Sequence, residues 1–215
     1  MKDYSNYHGN LNYTDKLLRD GVKTFERSLI TSPDAFTVVV NDEEKNVMLQ
    51  STAKYDERRI LFKEGDIAWG DIVIYENEKW LITERPFFNK IHEKSHIKLC
   101  NNEMKFTYLT EGVFERDRYG NKIWIEEPTE VVTLFPCVID SISNLNTKTT
   151  SGHQVNVPEG DSVVMIQYTE DELIQISNEF TMFDDNYRIS GIDKSQTYKG
   201  EGVLILIITR IANNT

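Results

Sequence analysis

The pattern of apolar and polar positions indicates a helix near the start of the chain. Four apolar residues recur at spacings of four, three and four: Leu18, Val22, Phe25 and Leu29. This spacing places them on one face of a helix. Pro33 ends the pattern, because proline cannot continue a helix. We predict a helix over residues 14–32, preceded by a flexible polar arm over residues 1–13.

After Pro33 the apolar residues form short runs or alternate with polar ones, which is typical of β-strands. The first run, from Ala35 to Val40, is rich in β-branched residues and predicts a buried strand. Further strands are predicted at residues 47–50, 60–62, 71–75, 79–83, 97–99, 105–109, 113–115 and 123–125. Glu76-Asn77-Glu78 separates two of these strands and predicts a hairpin.

The second half of the chain repeats the plan of the first half without its helix. Residues 135–140 resemble residues 36–41 in pattern, and the hairpin over residues 181–190 resembles the one over residues 72–83. We predict a mostly β fold of tandem small antiparallel β-barrels or sandwiches with a short N-terminal helix. The predicted units are a first β domain, a connecting β-hairpin and a second β domain, at residues 33–110, 111–130 and 131–215.

Composition and charge narrow the class of protein. The chain has 215 residues, of which 39% are hydrophobic, enough to bury a core without disulfides or metals. Its net charge of −11 disfavours binding to nucleic acid and to anionic membranes. Cys100 and Cys137 form no C-x-x-C pair, and residues 1–13 lack a signal-peptide pattern. We therefore expect synthesis in a reducing cytoplasm and no contact with a membrane.

The string His92-Glu93-Lys94-Ser95-His96 matches H-E-x-x-H. On a helix, this motif lets two histidines bind Zn²⁺ while the glutamate acts as general base. The surrounding alternation predicts a strand instead, on which His92 and His96 are about 13 Å apart. We therefore predict no metal site, no catalytic residue, no cofactor and no enzymatic activity. A zinc-dependent hydrolase remains the alternative from another class.

One cluster combines cations with aromatic residues within the predicted connecting hairpin. Its members are Arg116, Arg118, Tyr119, Lys122 and Trp124. Trp, Tyr and Arg are the residues that most often anchor protein interfaces. Neighbouring carboxylates neutralise the cluster and disfavour the alternative of a nucleic-acid-binding module. With residues from two polar segments, the candidate interface is Tyr4, Tyr7, Arg116, Arg118, Tyr119, Trp124 and His153.

Several segments resemble structural proteins of tailed bacteriophages of low-GC Gram-positive hosts. The segments are 15–22, 34–36, 69–73 (Trp-Gly-Asp-Ile-Val), 79–82 (Lys-Trp-Leu-Ile), 97–101 (Ile-Lys-Leu-Cys-Asn) and 104–106 (Met-Lys-Phe). In particular, they resemble head–tail connector proteins of the head-closure or head-completion kind. The resemblance covers residues 14–106, and Phe106 stands where a tryptophan is usual. These segments are turns and core positions, and none of them is catalytic.

The resemblance implies a virion structural protein, made in the host cytoplasm, that forms a homo-oligomeric ring between portal and tail. Its partners would be portal or adaptor rings, other connector rings and tail proteins. DNA would pass through the ring without sequence-specific binding, and an acidic subunit suits such a channel. The segments expected to reach neighbours are residues 1–13 and 143–161. A tail terminator or another tail structural subunit is the alternative within the same class.

Overall fold

The computed structural model describes residues 12–116, 118–119, 121–140 and 161–211. The chain divides into two compact units, Met1–Leu99 and Cys100–Thr215. The structure is mostly β, with two six-stranded antiparallel barrels in tandem and one short N-terminal helix among the described residues. The predicted fold class is therefore confirmed.

The first unit contains helix α1 and seven strands. Their bounds are α1 Tyr13–Thr31, β1 Ala35–Val40, β2 Glu43–Ser51, β3 Glu57–Phe62, β4 Ile72–Tyr75, β5 Glu78–Ile82, β6 Phe87–Phe88 and β7 Glu93–Leu99. The second unit contains nine strands. They are β8 Asn102–Leu109, β9 Val113–Arg116, β10 Lys122–Glu126, β11 Glu130–Asp140, β12 Asp161–Gln167, β13 Glu179–Met182, β14 Asp185–Asp193, β15 Thr197–Tyr198 and β16 Glu201–Arg210.

Helix α1 packs on the first barrel through the face that the sequence predicts. Phe25 and Leu29 are buried, and the Phe25 ring stacks on the ring of His92 with centroids 4.6 Å apart. Gly21 permits this close approach, because a Cβ atom there would lie 2.9 Å from the Ile91 side chain. No helix in the described ranges has the length and apolarity that crossing a membrane requires.

The first barrel is a closed ring of strands. Its order is β3-β2-β1-β4-β5-β7, and β3 pairs with β7 to complete the ring, while the short strand β6 pairs with the start of β7. Alternate side chains fill the interior, among them Phe62, Trp80 and Ile97, which are almost fully buried. Asn41 and Asp42 join β1 to β2 with φ angles of 50° and 64°, which are typical of the two-residue turns in tight hairpins.

The second barrel has the same topology as the first. Its order is β12-β11-β8-β13-β14-β16, closed by pairing of β12 with β16, and β15 attaches to β16 as β6 does to β7. Met104, Ile189, Leu206 and Ile208 are fully buried in its core. In this shared plan β8 corresponds to β1 and β11 corresponds to β2. The chain therefore contains the same barrel topology twice.

The structure differs from the sequence prediction at two points, which are the boundary between the domains and the correspondence between the two halves. The prediction ends the first β domain at residue 110, whereas β8 pairs with β11 and lies in the second unit. The prediction also treats residues 135–140 as the equivalent of residues 36–41, which lie mainly in β1, whereas β11 is the counterpart of β2. The hairpin predicted at 111–130 is thus an insertion within the second barrel. Alternation of side chains marks a strand but carries no information about which strand it pairs with.

The core of the second barrel makes a testable prediction about Cys137. Burial raises the pKa of the Cys137 thiol to about 12, so about one molecule in 10⁴ carries the reactive thiolate at pH 8. In a Cys100→Ser protein, we expect Ellman's reagent to label Cys137 at least ~10³-fold more slowly in the native state than in guanidinium chloride. Rapid labelling of the native protein would contradict the buried position.

Candidate interface on the second barrel

Strands β8 and β11 extend out of the second barrel as a two-stranded ribbon. Strand β13 pairs with β8 at Lys105, and β12 pairs with β11 from Cys137 onward. In contrast, β8 and β11 pair with each other as far as Leu109 and Glu130. Among the described residues, residues 106–109 of β8 therefore pair only with β11, and residues 130–136 of β11 pair only with β8.

The ribbon ends in the hairpin of β9 and β10, residues 113–126, which we call the arm. Thr110 and Thr129 join arm to ribbon: the Thr110 N–H donates to the Thr129 carbonyl oxygen at 2.9 Å, and their hydroxyl oxygens are 3.0 Å apart. Gly112 fits a crowded position, since a Cβ atom there would lie 2.7 Å from the Glu126 carbonyl oxygen. These contacts hold the base of the arm.

One face of the arm combines two aromatic rings with two cations. Trp124 lies opposite Phe114, and Lys122 lies opposite Arg116, so these four side chains share a face. The Lys122 ammonium is 4.4 Å from the centroid of the Phe114 ring and 5.7 Å from that of Trp124. The two rings meet edge to face at 5.4 Å. We call Phe114, Arg116, Lys122 and Trp124 the cation–aromatic face.

The opposite face of the arm carries apolar and acidic side chains. Ile123 lies opposite Glu115, and Glu126 lies opposite Val113, because a bulge separates Trp124 from Glu126. The carboxylates of the two strands therefore lie away from the cation–aromatic face.

The arm exposes large apolar side chains in both directions. The exposed fractions are Val113 50%, Phe114 38%, Ile123 56%, Trp124 41% and Ile125 58%. Along the ribbon, Leu109, Val132 and Leu134 are exposed as well. A two-stranded hairpin is marginally stable in water on its own, and contiguous exposed apolar surface is typical of interaction sites. The ribbon and arm are therefore the candidate interface.

The structure brings together four of the residues that the sequence suggests for an interface. Arg116 and Trp124 lie on the cation–aromatic face, and Arg118 and Tyr119 lie in the turn between β9 and β10. Their role in an interface stays a prediction. The remaining candidates, Tyr4, Tyr7 and His153, lie outside the described residues.

Phe114 and the apolar residues of the ribbon were not predicted as interface candidates from the sequence. A signal was present in Ile123-Trp124-Ile125, where consecutive residues are apolar and both faces of a strand must therefore be apolar. Such a run is equally consistent with a strand buried on both sides. The structure distinguishes a buried strand from an exposed one here, because Ile123, Trp124 and Ile125 are all exposed.

The His92–His96 string is extended, as predicted, since β7 begins at Glu93. Its two histidines have different surroundings. His92 stacks on Phe25 of helix α1, and burial lowers its pKa, whereas His96 lines a shallow cleft of about 340 Å³ beside Arg59. In the part of the chain that the structure describes, no three His, Cys, Asp or Glu side chains are grouped as metal ligands.

The fold and the candidate interface define a tandem-barrel protein with a β-hairpin arm inserted in its second barrel. Comparison with known families extends this description. A sequence model of the YomX N-terminal domain matches residues 6–99, and one of the YomX C-terminal domain matches residues 59–209. The chain belongs to the YomX family. The N-terminal match ends at Leu99, where the first compact unit also ends.

One relative indicates the origin of the chain. The chain is 33% identical over 215 residues, covering 96% of each sequence, to the SPbeta prophage-derived uncharacterized protein YomX of Bacillus subtilis (strain 168). Such similarity over nearly the whole length supports a phage-derived protein, as the sequence resemblance implied. No solved structure matches the chain.

Proposed function

We propose that this protein is a non-catalytic structural component of the phage particle, located in the head–tail connector, and that the arm binds its neighbour there. The observation that carries the proposal is the arm itself, which presents large apolar side chains on both faces with no core of its own. A hairpin of this kind becomes stable when a partner covers it.

Two further properties support the proposal. The closed barrels leave few unpaired strand edges, so they act as rigid blocks whose contacts are made by the attached ribbon and arm. The net charge of −11 suits the wall of a channel through which DNA passes without adhering. A tail terminator would share both properties and remains the alternative, and the two differ in which junction of the particle the protein occupies.

The repeated topology provides a precise way to remove the arm. In the first barrel Asn41 and Asp42 join the paired residues Val40 and Glu43. Replacing residues 110–129 with Asn-Asp would join the paired residues Leu109 and Glu130 in the same manner. We expect the altered protein to keep its far-UV circular dichroism and cooperative unfolding, because the barrel core is untouched.

A phage that carries this replacement should make filled heads and complete tails that fail to join, with infectivity near background. Electron microscopy of the lysate identifies the junction that fails, and a defect in the tails themselves would favour the tail alternative. Tyr55→Ser is the matched control, because Tyr55 is 91% exposed in the first barrel. Normal infectivity of the phage lacking the arm would refute the proposal.

A further inference from the structure

We infer that the partner of the arm is a second copy of this chain, whose second barrel receives the cation–aromatic face on the loop between β12 and β13. This inference rests on the proposed function of the arm as a docking element. It adds the identity of the neighbour and the surface that the neighbour offers.

The chemistry of the arm specifies its partner. Arg116 and Lys122 place two positive charges beside the rings of Phe114 and Trp124, and the carboxylates of Glu115 and Glu126 lie on the other face. A complementary surface must offer carboxylates next to an exposed apolar side chain, because an unpaired cation loses hydration when the rings are covered.

The loop of residues 168–178 offers these groups. It carries Glu170, Asp171 and Glu172 and contains no Lys or Arg. All three acidic residues are exposed, and Ile176 is 61% exposed in the same loop. We call residues 168–178 the acidic loop.

The acidic loop is held in a fixed shape, so its carboxylates have defined positions before a partner arrives. The Leu173 N–H donates to Asp171 Oδ1 at 2.9 Å, and the Asn178 side-chain amide donates to the Leu173 carbonyl oxygen at 3.0 Å. Ile174 anchors the loop in the barrel core. A rigid receiving surface loses little conformational entropy on binding.

Strand directions place the arm and the acidic loop at the same end of the barrel. Strand β12 runs antiparallel to β11, with Cys137 opposite Ile166, so β12 ends toward the start of β11, where the arm attaches. Strand β13 begins beside the outer end of β8, since Thr181 lies opposite Lys105. Copies standing side by side in one orientation therefore have arm and acidic loop at the same end.

The length of the arm favours a neighbouring copy. From Lys105, the last position of β8 that pairs with β13, nine residues lead to Phe114, a reach of at most about 30 Å, since residues 110–112 lie between strands β8 and β9. The contact is heterologous, because it joins two different surfaces, and repetition of such a contact closes a ring when the rotation between copies allows it.

Single-stranded nucleic acid is the competing occupant, since aromatic rings with cations also bind bases and phosphates. The observations favour protein. Two cations displace few counterions and give weak binding, and the chain around them has a net charge of −11.

A disulfide-trapping experiment tests the contact between copies. In a Cys100→Ser background, Lys122→Cys protein is mixed with Glu172→Cys protein that carries a size tag, and both are oxidised at high concentration. We expect the mixed dimer to form at least ~10-fold faster than with Asp184→Cys in place of Lys122→Cys. Asp184 is the matched control, because it is exposed in the β13–β14 turn at the opposite end of the barrel.

Charge reversal tests the chemistry of the same contact. Arg116→Glu in the Lys122→Cys protein should lower the trapping rate at least ~10-fold, as should Glu170→Lys with Asp171→Lys in the Glu172→Cys protein, and mixing the two reversed proteins should restore it. Trapping no faster than the control, or failure of the mixture to restore it, would overturn the inference. The inference would also be overturned if the arm variant lost binding to single-stranded DNA while its trapping rate stayed unchanged.

The two proposals fail separately. If removal of the arm blocks particle assembly but no trapping occurs, the arm binds a different protein, so the proposed function stands and this inference falls. If trapping occurs but phages without the arm are infectious, the copies associate and the proposed function falls.

Discussion

Replacing Trp80 by alanine should lower the free energy of unfolding by about 3–5 kcal/mol, whereas the same change at Trp124 should cost less than ~1 kcal/mol. Trp80 is 1% exposed and lies in the core of the first barrel. The guanidinium of Arg58 covers its ring at 4.8 Å from the ring centroid, so alanine would leave a cavity and remove this contact. Trp124 has no core around it to disrupt.

Phenylalanine at position 80 should be tolerated far better than alanine. The indole Nε1–H of Trp80 is buried and has no hydrogen-bond partner among the described residues. Leaving such a donor unsatisfied costs about 1–3 kcal/mol, and phenylalanine removes that cost while it fills most of the space. Urea unfolding followed by circular dichroism measures all three variants. Equal losses for Trp80→Ala and Trp124→Ala would contradict the assigned burial of these two residues.

Gly202→Ala should destabilise the second barrel by at least ~3 kcal/mol, while Gly200→Ala should cost about 1–2 kcal/mol. Both glycines have positive φ angles, 123° and 85°. A Cβ atom at Gly202 would lie 2.3 Å from the Gln196 carbonyl oxygen, whereas one at Gly200 meets nothing within 4 Å. The pair therefore separates steric overlap from backbone strain.

The segments that would clash with a side chain at Gly202 cannot move apart easily. The same Gln196 oxygen accepts a hydrogen bond from the Val203 N–H at 2.8 Å, and the Gly202 carbonyl oxygen accepts one from the Tyr168 N–H at 2.9 Å. Moving either segment would break one of these backbone hydrogen bonds at the start of β16. Thermal and chemical unfolding of both variants provides the measurement, and similar losses for the two would show that the close approach is absent.

The sequence was a sufficient guide to the elements of the fold because their signals are local. Spacing alone located helix α1 through Phe25 and Leu29, a run of β-branched residues located β1, and a short polar stretch between two strands located the hairpin at Glu76 and Asn77. Strand pairing is not local. Strand β8 reads as a continuation of the strands before it, and only the ladder with β11 places it in the second barrel.

The candidate site was predictable in part for the same reason. Arg116, Arg118, Tyr119 and Trp124 attract attention as residue types that anchor interfaces. The sequence does not reveal that Phe114 faces Trp124, because that depends on the register of the hairpin, nor that these rings are exposed. The composition of the acidic loop is ordinary for a surface loop. It becomes a candidate contact only because the fold places it at the same end of the barrel as the arm.

The inserted arm has a consequence for how quickly each barrel folds. In the first barrel β1 and β2 meet across the two-residue turn of Asn41 and Asp42, and such local pairing forms within microseconds. In the second barrel the corresponding strands β8 and β11 must close residues 110–129 before they pair, which costs additional loop entropy. Refolding rates fall as contacts become less local. The second barrel should therefore be the slower to form, and the time it takes to fold would set when the arm becomes available to a partner.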